Sequence, residues 1–287
     1  MQPETTSEDV PMYCIANKGD GFTNQMFRLV HAILSIHLQH RPALSVSSMS
    51  TDWMKNERIP LSAILDIESY QQYVQEHYQV RLSLADHDRE DAIQEFGWVH
   101  DLHGPKFRDL LTHLPFRRTP RIQKYMDEYG SLYPNIHAIH LRLEEDGVAC
   151  WSHAIHPEEQ ERYRQRLVDR YRSLIQKYIT TPMESTLILC LCHHPENEIT
   201  EYLRQDSGFS VLTLEKTGDR ELDALHDFMV TTGLCNGVFI GNYYPPSRQW
   251  GSSYSYLIAT RLGPEVCKIM IDLHQLEAPE YVSSRIE

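Results

Sequence analysis

Between residues 136 and 271, short apolar runs alternate with longer segments whose apolar residues recur at helical spacing. The run STLILCLC at 185–192 is apolar almost throughout, which is typical of a central strand buried on both faces of a parallel sheet. Five strands that alternate with four helices predict a doubly wound α/β domain. The other strands are predicted at 136–143, 209–214, 237–242 and 266–271, and the helices at 156–179, 195–206, 220–234 and 252–263.

The N-terminal part of the chain opens in a similar way and predicts the start of a second βαβ arrangement. Its elements are a strand at 12–16, a helix at 24–40 and a strand within RPALSVSS at 41–48. Residues 51–130 contain helical fragments without regular strand alternation. The turn-rich stretch YGSLYPN at 129–135 is the predicted boundary, so two domains are expected, 1–134 and 135–287. A length of 287 residues fits two such domains.

The chain is acidic, with a formal net charge of −13 at pH 7. Nucleic acids and anionic membranes are bound by broad basic faces, so this charge argues against both as main partners. It still permits a phosphate held by one or two arginines. No run approaches the ~20 apolar residues of a membrane span, and the N-terminus lacks the pattern of a signal peptide. As written, the chain is expected to be cytoplasmic; the alternative is a clipped chain from the secretory-pathway lumen.

The chain has six cysteines: Cys14, Cys150, Cys190, Cys192, Cys235 and Cys267. Free thiols are expected rather than disulfides, because the density is low for a disulfide scaffold and three of the six lie in apolar runs. The stretch CLCHHPENE at 190–198 holds two cysteines and two histidines, but their spacing is not that of metal ligands. No metal site is predicted, and a position of His193 or His194 at the ligand-binding edge is the second interpretation of this stretch.

Ligands bind open α/β sheets at the carboxyl ends of the strands, and three strand-end stretches stand out. The first is GDGFTNQ at 19–25, between the first predicted strand and helix. It predicts either a backbone cradle for a substrate, with Asp20 or Asn24 presented to it, or a tight turn that needs Gly19 and Gly21 for steric reasons. Its spacing differs from G-x-G-x-x-G, so a dinucleotide fingerprint is not supported.

The second stretch is HLRLEEDG at 140–147, where a predicted strand runs into three acids. Strand alternation places His140 and Arg142 on one face. The planar guanidinium of an arginine suits a pyrophosphate, because it binds two oxygens at once. The alternative interpretation is a salt bridge from Arg142 to the neighbouring acids.

The third stretch is FIGNYYPPSRQWGSSY at 239–254. A buried strand is predicted to end near Asn242, and Ser252, Ser253 and Tyr254 open a helix. Serine hydroxyls and backbone N–H groups at a helix N-terminus form an anion site. Simple N-capping by Ser252 or Ser253 is the alternative, and the two interpretations are compatible.

Taken in this order, the three stretches resemble the motifs of the fucosyltransferase superfamily, in particular the protein O-fucosyltransferases and their plant and microbial relatives. The family has a glycine loop with an Asn-Gln pair, a His-x-Arg strand end, and an Asp-led helix followed by a FIG strand and a Ser-Ser-aromatic motif. The resemblance implies a GT-B-like α/β fold, with two Rossmann-like doubly wound domains facing a cleft. It also implies inverting, metal-independent transfer of a sugar, usually fucose from GDP-fucose, to a hydroxyl on a glycan or glycoprotein.

The resemblance further implies roles for individual residues. Arg142 matches the arginine on the β-phosphate of the donor, and Asp227 matches an aspartate near the guanine. Asn24 matches an asparagine on the acceptor side. The implied donor-binding set is His140, Arg142, Asp227, Asn242, Ser252, Ser253 and Tyr254. The implied acceptor-side loop carries Gly19, Gly21 and Asn24.

The catalytic base is predicted from charge, because the acceptor hydroxyl must lose a proton and a carboxylate can take it. Asp20 is the predicted base. Glu144 and Asp146 compete with it, but both lie beside the donor phosphates, which they would repel. Arg142 is the predicted catalytic cation that stabilises the leaving diphosphate.

One departure from the family pattern leaves the donor open. The segment between FIG and SSY is longer here and carries Tyr243, Pro245, Pro246, Arg248 and Trp250. One alternative is therefore a relative that uses xylose, rhamnose or arabinose from a UDP or GDP donor. The other is a catalytically silent nucleotide-sugar-binding module that keeps the fold.

Overall fold

The computed structural model describes residues 12–13, 21–46, 49–52, 57–84, 104–243 and 251–284. The chain divides into two compact units. The first comprises Met1–Thr119 and Lys216–Leu225, and the second comprises Pro120–Glu215 and His226–Glu287.

The described strands of the first unit form a three-stranded parallel sheet in the order β1-β2-β5 and an antiparallel pair of β3 with β4. The strands are Met12–Tyr13 (β1), Ala43–Val46 (β2), Met49–Asp52 (β3), Glu57–Ile59 (β4) and Arg81–Leu84 (β5). The helices are Phe22–Leu38 (α1), Ile67–Tyr78 (α2) and Pro105–Thr112 (α3), with a 3₁₀ turn at Leu61–Ala63. The predicted strand, helix and strand at the start of the chain are thus confirmed where the structure describes them.

Helix α1 is buried along most of its length, so it belongs to the core of the first unit rather than to its surface. The rings of Phe27 and His31 meet the ring of Phe107 from α3 edge-on, with centroid distances of 5.3 and 5.2 Å. At the start of the helix, the Phe22 N–H donates to the buried carboxylate of Glu221. A carboxylate is favourable there because it faces the positive end of the helix dipole.

The second unit is built on a six-stranded sheet in the order β8-β7-β6-β9-β10-β11. All neighbouring strands are parallel except β10 and β11, which pair antiparallel. Numbered within the unit, this order is 3-2-1-4-5-6, the arrangement of a dinucleotide-type doubly wound sheet. The strands are Asn135–His140 (β6), Thr186–Leu191 (β7), Ser210–Leu212 (β8), Val238–Gly241 (β9), Cys267–Met270 (β10) and Tyr281–Ser283 (β11).

Helices connect these strands. They are Pro120–Gly130 (α4), Glu145–Ser152 (α5), Pro157–Tyr178 (α6), Glu198–Glu201 (α7), Arg220–Leu234 (α8) and Ser253–Arg261 (α9). Residues 220–225 of α8 belong to the first unit. A 3₁₀ turn at Met183–Ser185 precedes β7, and a π-helical turn at Tyr202–Asp206 follows α7. The predictions of β7 as a buried inner strand and of α6 as a helix that opens on a proline are confirmed.

The core of the second unit lies between the sheet and the apolar stripe of α6. That stripe has an i, i+4 spacing that aligns its members on one helix face. Its buried members are Tyr163, Leu167, Val168, Tyr171, Leu174 and Ile175.

The structure differs from the sequence-based prediction at two places in the second unit. The strand predicted at 136–143 ends at His140, because the chain leaves the sheet there and turns into α5. The edge strand β11 was not predicted. Cys150, Cys190, Cys192, Cys235 and Cys267 are free thiols, as expected, whereas Cys14 lies outside the described residues.

Two buried or nearly buried charges hold β11 and the segment before it. The Lys268 ammonium donates to the carbonyls of Gly263, Val266 and Ser284. Glu280 accepts from Arg170 of α6, and its further donors are Lys177 and Tyr178. Within the described part of the chain, no helix is both long and apolar enough to cross a membrane.

Candidate functional site

The strand order of the second unit reverses between β6 and β9, which creates a switch point at the carboxyl ends of these two strands. At such a point the connections leave on opposite faces of the sheet and open a crevice, where doubly wound folds bind ligands. Strand β6 ends here at His140, and β9 ends at Gly241, directly before Asn242. Two predicted donor-binding residues are therefore neighbours at the expected place.

A buried hydrogen-bond network joins these two strand ends to α9. The Ser255 hydroxyl lies 2.7 Å from Nδ1 of His140 and accepts from the Asn242 N–H at 2.9 Å. The Asn242 side-chain amide donates to the His140 carbonyl at 2.8 Å. Asn242 and Ser255 have no exposed surface, so each hydrogen bond substitutes for water that cannot reach them.

Tyr171 of α6 completes this network. Its hydroxyl lies 2.7 Å from Oδ1 of Asn242 and 2.9 Å from the His140 carbonyl, and it accepts from the Arg142 N–H at 3.3 Å. Burial raises the pKa of Tyr171, so the group stays a hydroxyl donor. One helix side chain thus positions the end of β6, the end of β9 and the backbone of Arg142.

The surroundings of His140 favour its neutral form. Burial, reinforced by the positive charge of Arg142, holds the pKa of His140 well below its usual value. Its Nδ1 lies 2.7 Å from the Ser255 hydroxyl and 3.3 Å from the side-chain nitrogen of Asn242, so the buried ring nitrogen has polar neighbours in place of water.

Tyr254 extends the site from His140 towards Asp227. Its ring meets the His140 imidazole edge-on, with a centroid distance of 5.0 Å. Burial and the nearby charge of Asp227 raise the pKa of the Tyr254 hydroxyl. The structure thus brings together three residues that lie far apart in the sequence.

Arg142 lies beyond the strand, in the connection between β6 and α5. Its Nη1 donates to Oε1 of Glu144 at 2.5 Å, and both side chains are largely buried, with 21% and 13% of their surface exposed. The salt bridge to a neighbouring acid, which was the alternative interpretation of this stretch, is therefore present. It occupies only one corner of the guanidinium.

The other edge of the guanidinium is formed by Nε and Nη2, whose N–H bonds point in the same direction. Nε is buried and has no hydrogen-bond partner among the described residues, and Nη1–Glu144 is the one side-chain hydrogen bond of Arg142 there. A buried N–H without a partner costs about 1–3 kcal/mol. A two-oxygen anion such as a phosphate satisfies this edge in a bidentate manner.

The N-terminus of α9 borders the same network. Ser252 occupies the N-cap position, but its hydroxyl makes no capping hydrogen bond, so the simple capping interpretation does not hold for this residue. Its N–H donates instead to the Asn242 carbonyl at 2.9 Å. Gly251 permits this close approach, since a β-carbon there would lie 2.9 Å from the Asn242 carbonyl oxygen. Ser253 is the first residue of the helix.

No protein-family model matches the chain, and no curated protein matches it in sequence. Solved structures match its fold. The crystal structure of POFUT1 in complex with GDP-fucose has a TM-score of 0.56 and 12% identity, over 90% of this chain and 94% of that chain. The apo form of POFUT1 has a TM-score of 0.55 and 13% identity, over 90% and 96% of the two chains. For the fucosyltransferase NodZ from Bradyrhizobium the values are 0.49 and 12%, over 96% and 98%.

The chain has a fucosyltransferase-like fold. The GT-B-like α/β fold class predicted from the sequence is confirmed by this likeness over most of the chain. At 12 to 13% identity the likeness concerns the fold alone, so the chemistry has to be argued from the residues of the chain itself.

The predicted residues of the first unit are only partly described. Asp20 and Gly19 lie outside the described residues. Gly21 is the N-cap residue of α1, with φ −61° and ψ 160°, a conformation open to any residue, so the steric need for glycine does not apply to it. Asn24 lies in the first turn of α1 and is partly exposed.

Sequence reasoning missed Tyr171 and Ser255 as parts of the site. Tyr171 lies on the apolar stripe of α6, where an aromatic residue is ordinary core, and Ser255 follows directly after the SSY motif. Within the described ranges, no group of three or more His, Cys, Asp or Glu side chains is placed to hold a metal ion.

Proposed function

We propose that this chain is a glycosyltransferase that moves a sugar from a nucleotide sugar to a hydroxyl group on a glycan or protein, with GDP-fucose as the first donor to test. The observation that carries the proposal is Nε of Arg142, which is buried and has no hydrogen-bond partner among the described residues, beside the switch point of a doubly wound sheet. POFUT1, whose fold resembles this one, was crystallised with GDP-fucose and with GDP, which favours guanosine donors.

Arg142 supplies the main catalytic effect in this proposal. As the sugar–phosphate bond breaks, negative charge grows on the leaving diphosphate, and a fixed guanidinium binds that charge most strongly in the transition state. Its partial burial strengthens the interaction, because little water competes. The proposed transfer is inverting and needs no metal, so turnover is expected to persist in EDTA.

The remaining donor contacts are assigned by position in the site. Asp227 is assigned to the guanine of the donor. Ser253 and Tyr254, with Ser252 beside them at the N-terminus of α9, are assigned to the diphosphate. His140 and Asn242 support these donor-binding residues from the strand ends through their buried hydrogen bonds. Asp20 remains the proposed base, and Gly19, Gly21 and Asn24 the proposed acceptor-side group.

Binding is tested first, by thermal unfolding and calorimetry with GDP, UDP, GDP-fucose and UDP-xylose. Preference for GDP and GDP-fucose is expected; stabilisation by UDP-xylose instead would favour the alternative donors. A protein that binds none of the four is not a glycosyltransferase of this type. Hydrolysis of the bound donor then separates an enzyme from a silent binding module.

The role of Arg142 is tested with Arg142→Ala and a matched control, Arg204→Ala. Arg204 is exposed and lies in the π-helical turn before β8, away from the carboxyl ends of the strands. Removal of a charge-assisted bidentate contact is expected to reduce donor turnover at least about 100-fold, with the fold retained. Arg204→Ala is expected to keep wild-type turnover. An active Arg142→Ala enzyme would refute the assigned role.

A further inference from the structure

The guanidinium of Arg142 lies against the first turn of α5, directly over Gly147. A β-carbon at Gly147 would lie 3.2 Å from Nη2 and 3.3 Å from both Nε and Cζ of Arg142. Ordinary van der Waals contact at such a position begins near 3.4 Å. The three atoms that approach Gly147 include both nitrogens of the edge that has no partner among the described residues.

The backbone of α5 does not itself require glycine at this position. Among the described glycines, positive φ angles occur at Gly208, Gly218 and Gly251, whereas Gly147 has a helical conformation. Glycine disfavours a helix relative to alanine, because it loses more backbone entropy. The close approach of the guanidinium is therefore the physical reason for glycine that the structure offers.

Two further contacts fix the same arginine. Glu144 holds Nη1 at 2.5 Å, and the Tyr171 hydroxyl accepts from the Arg142 N–H at 3.3 Å. Three parts of Arg142 thus each contact a different residue: its backbone N–H, one corner of its guanidinium and one face of its guanidinium. The Nε–Nη2 edge is the part of the guanidinium that the proposed function assigns to the donor diphosphate, and these contacts fix its orientation.

We propose that Gly147 is a positioning residue for the donor diphosphate, and that it acts by letting the guanidinium of Arg142 lie flat against α5. The inference rests on the proposed function. A side chain at 147 displaces the guanidinium by a few tenths of an ångström and tilts the edge that binds the phosphate oxygens. Hydrogen bonds weaken steeply with such misalignment, so the bidentate contact is lost before the fold is affected.

The test compares Gly147→Ala with Cys150→Ala, a control of similar size on the exposed face of the same helix. GDP affinity is measured by calorimetry and stability by thermal unfolding without ligand. Gly147→Ala is expected to weaken GDP binding by about tenfold or more, the size of a lost charged hydrogen bond. Its melting temperature is expected to stay level or rise, because alanine is the better helix former. Cys150→Ala is expected to bind GDP like wild type.

A double-mutant cycle shows whether the effect passes through Arg142. In an Arg142→Ala background, Gly147→Ala is expected to change GDP affinity less than about twofold, because the side chain it displaces is gone. Gly147→Ser also places a β-carbon at this position and is expected to lose GDP affinity in the same way. Agreement between the two variants would show that the loss does not come from a folding defect in one of them.

Three outcomes overturn the inference. The first is GDP binding by Gly147→Ala within twofold of wild type, and the second is a loss that persists in the Arg142→Ala background. In both cases the proposed function survives. The third is a wild-type protein that binds no nucleotide, which removes the proposed function and the inference together.

Discussion

The imidazole of His140 and the hydroxyl of Ser255 meet at 2.7 Å in the interior of the second unit, although 115 residues separate them in the sequence. One comes from the end of β6 and the other from α9. The hydroxyl also accepts from the Asn242 N–H at the end of β9. The Ser255 hydroxyl thus connects both strands of the switch point to α9.

Ser255→Ala is expected to destabilise the protein by about 2 kcal/mol, because it leaves Nδ1 of His140 and the Asn242 N–H buried with fewer partners. Ser173→Ala on the exposed surface of α6 is the matched control and is expected to cost less than about 0.5 kcal/mol. Urea unfolding of the two variants measures the difference. Equal stabilities would mean that the network contributes nothing to folding.

The inner strands of the second unit were predictable because a strand buried on both faces must be apolar throughout. In β7 every residue is buried, and the run stands out in the sequence. The edge strand β11 has no such signal: it has three residues, none of them buried, and pairs with one neighbour. Its position depends on Lys268 and Glu280, contacts that only the folded chain creates.

The end of β6 was placed three residues too late for a specific reason. Leu141, Arg142 and Leu143 continue the apolar–polar alternation of the strand, and no turn residue interrupts them. The chain leaves the sheet because the Arg142 N–H donates to the Tyr171 hydroxyl and because α5 begins at Glu145. The local sequence pattern cannot predict this contact, because Tyr171 lies 29 residues from Arg142 in the sequence.

Motif reasoning found the residues at the strand ends but not those that hold them. His140 ends an apolar strand, and Arg142 and Asn242 follow apolar strands, where polar side chains are conspicuous. Tyr171 and Ser255 lie within helices, at positions where the sequence shows only ordinary periodicity. The site therefore has a part that local pattern reveals and a supporting part that depends on tertiary packing.

His137 is expected to make the stability of the second unit decrease as the pH falls. Its ring bridges Thr181 and the Val238 N–H, which donates to Nδ1 at 2.8 Å, and burial lowers the pKa of His137 to about 4. The unfolded chain takes up this proton near pH 6.5, whereas the folded chain does not. The contribution of His137 to stability is therefore fully present above pH 6.5 and is lost as the pH falls from 6.5 to about 4, by roughly 3 kcal/mol.

Urea unfolding at pH 7.5 and pH 5 measures this contribution. His137→Asn keeps an acceptor for the Val238 N–H but does not titrate, so it is expected to lose less stability than wild type between the two pH values. His194→Asn, at an exposed histidine, is the control and is expected to keep the wild-type dependence. An unchanged pH dependence in His137→Asn would show that other groups produce it.

Tyr171→Phe tests whether the buried network supports the site as well as the fold. The change removes one oxygen, so Oδ1 of Asn242 and the Arg142 N–H lose the Tyr171 hydroxyl, at an expected cost of about 2 kcal/mol. Because the backbone of Arg142 is then no longer held, GDP affinity is expected to fall about three- to tenfold in the same variant. Tyr202→Phe, whose hydroxyl meets Gln176 on the outer surface, is the control and is expected to change neither quantity by much. Lower stability with wild-type GDP affinity would limit Tyr171 to a folding role and would place the orientation of Arg142 on Glu144 and Gly147 alone.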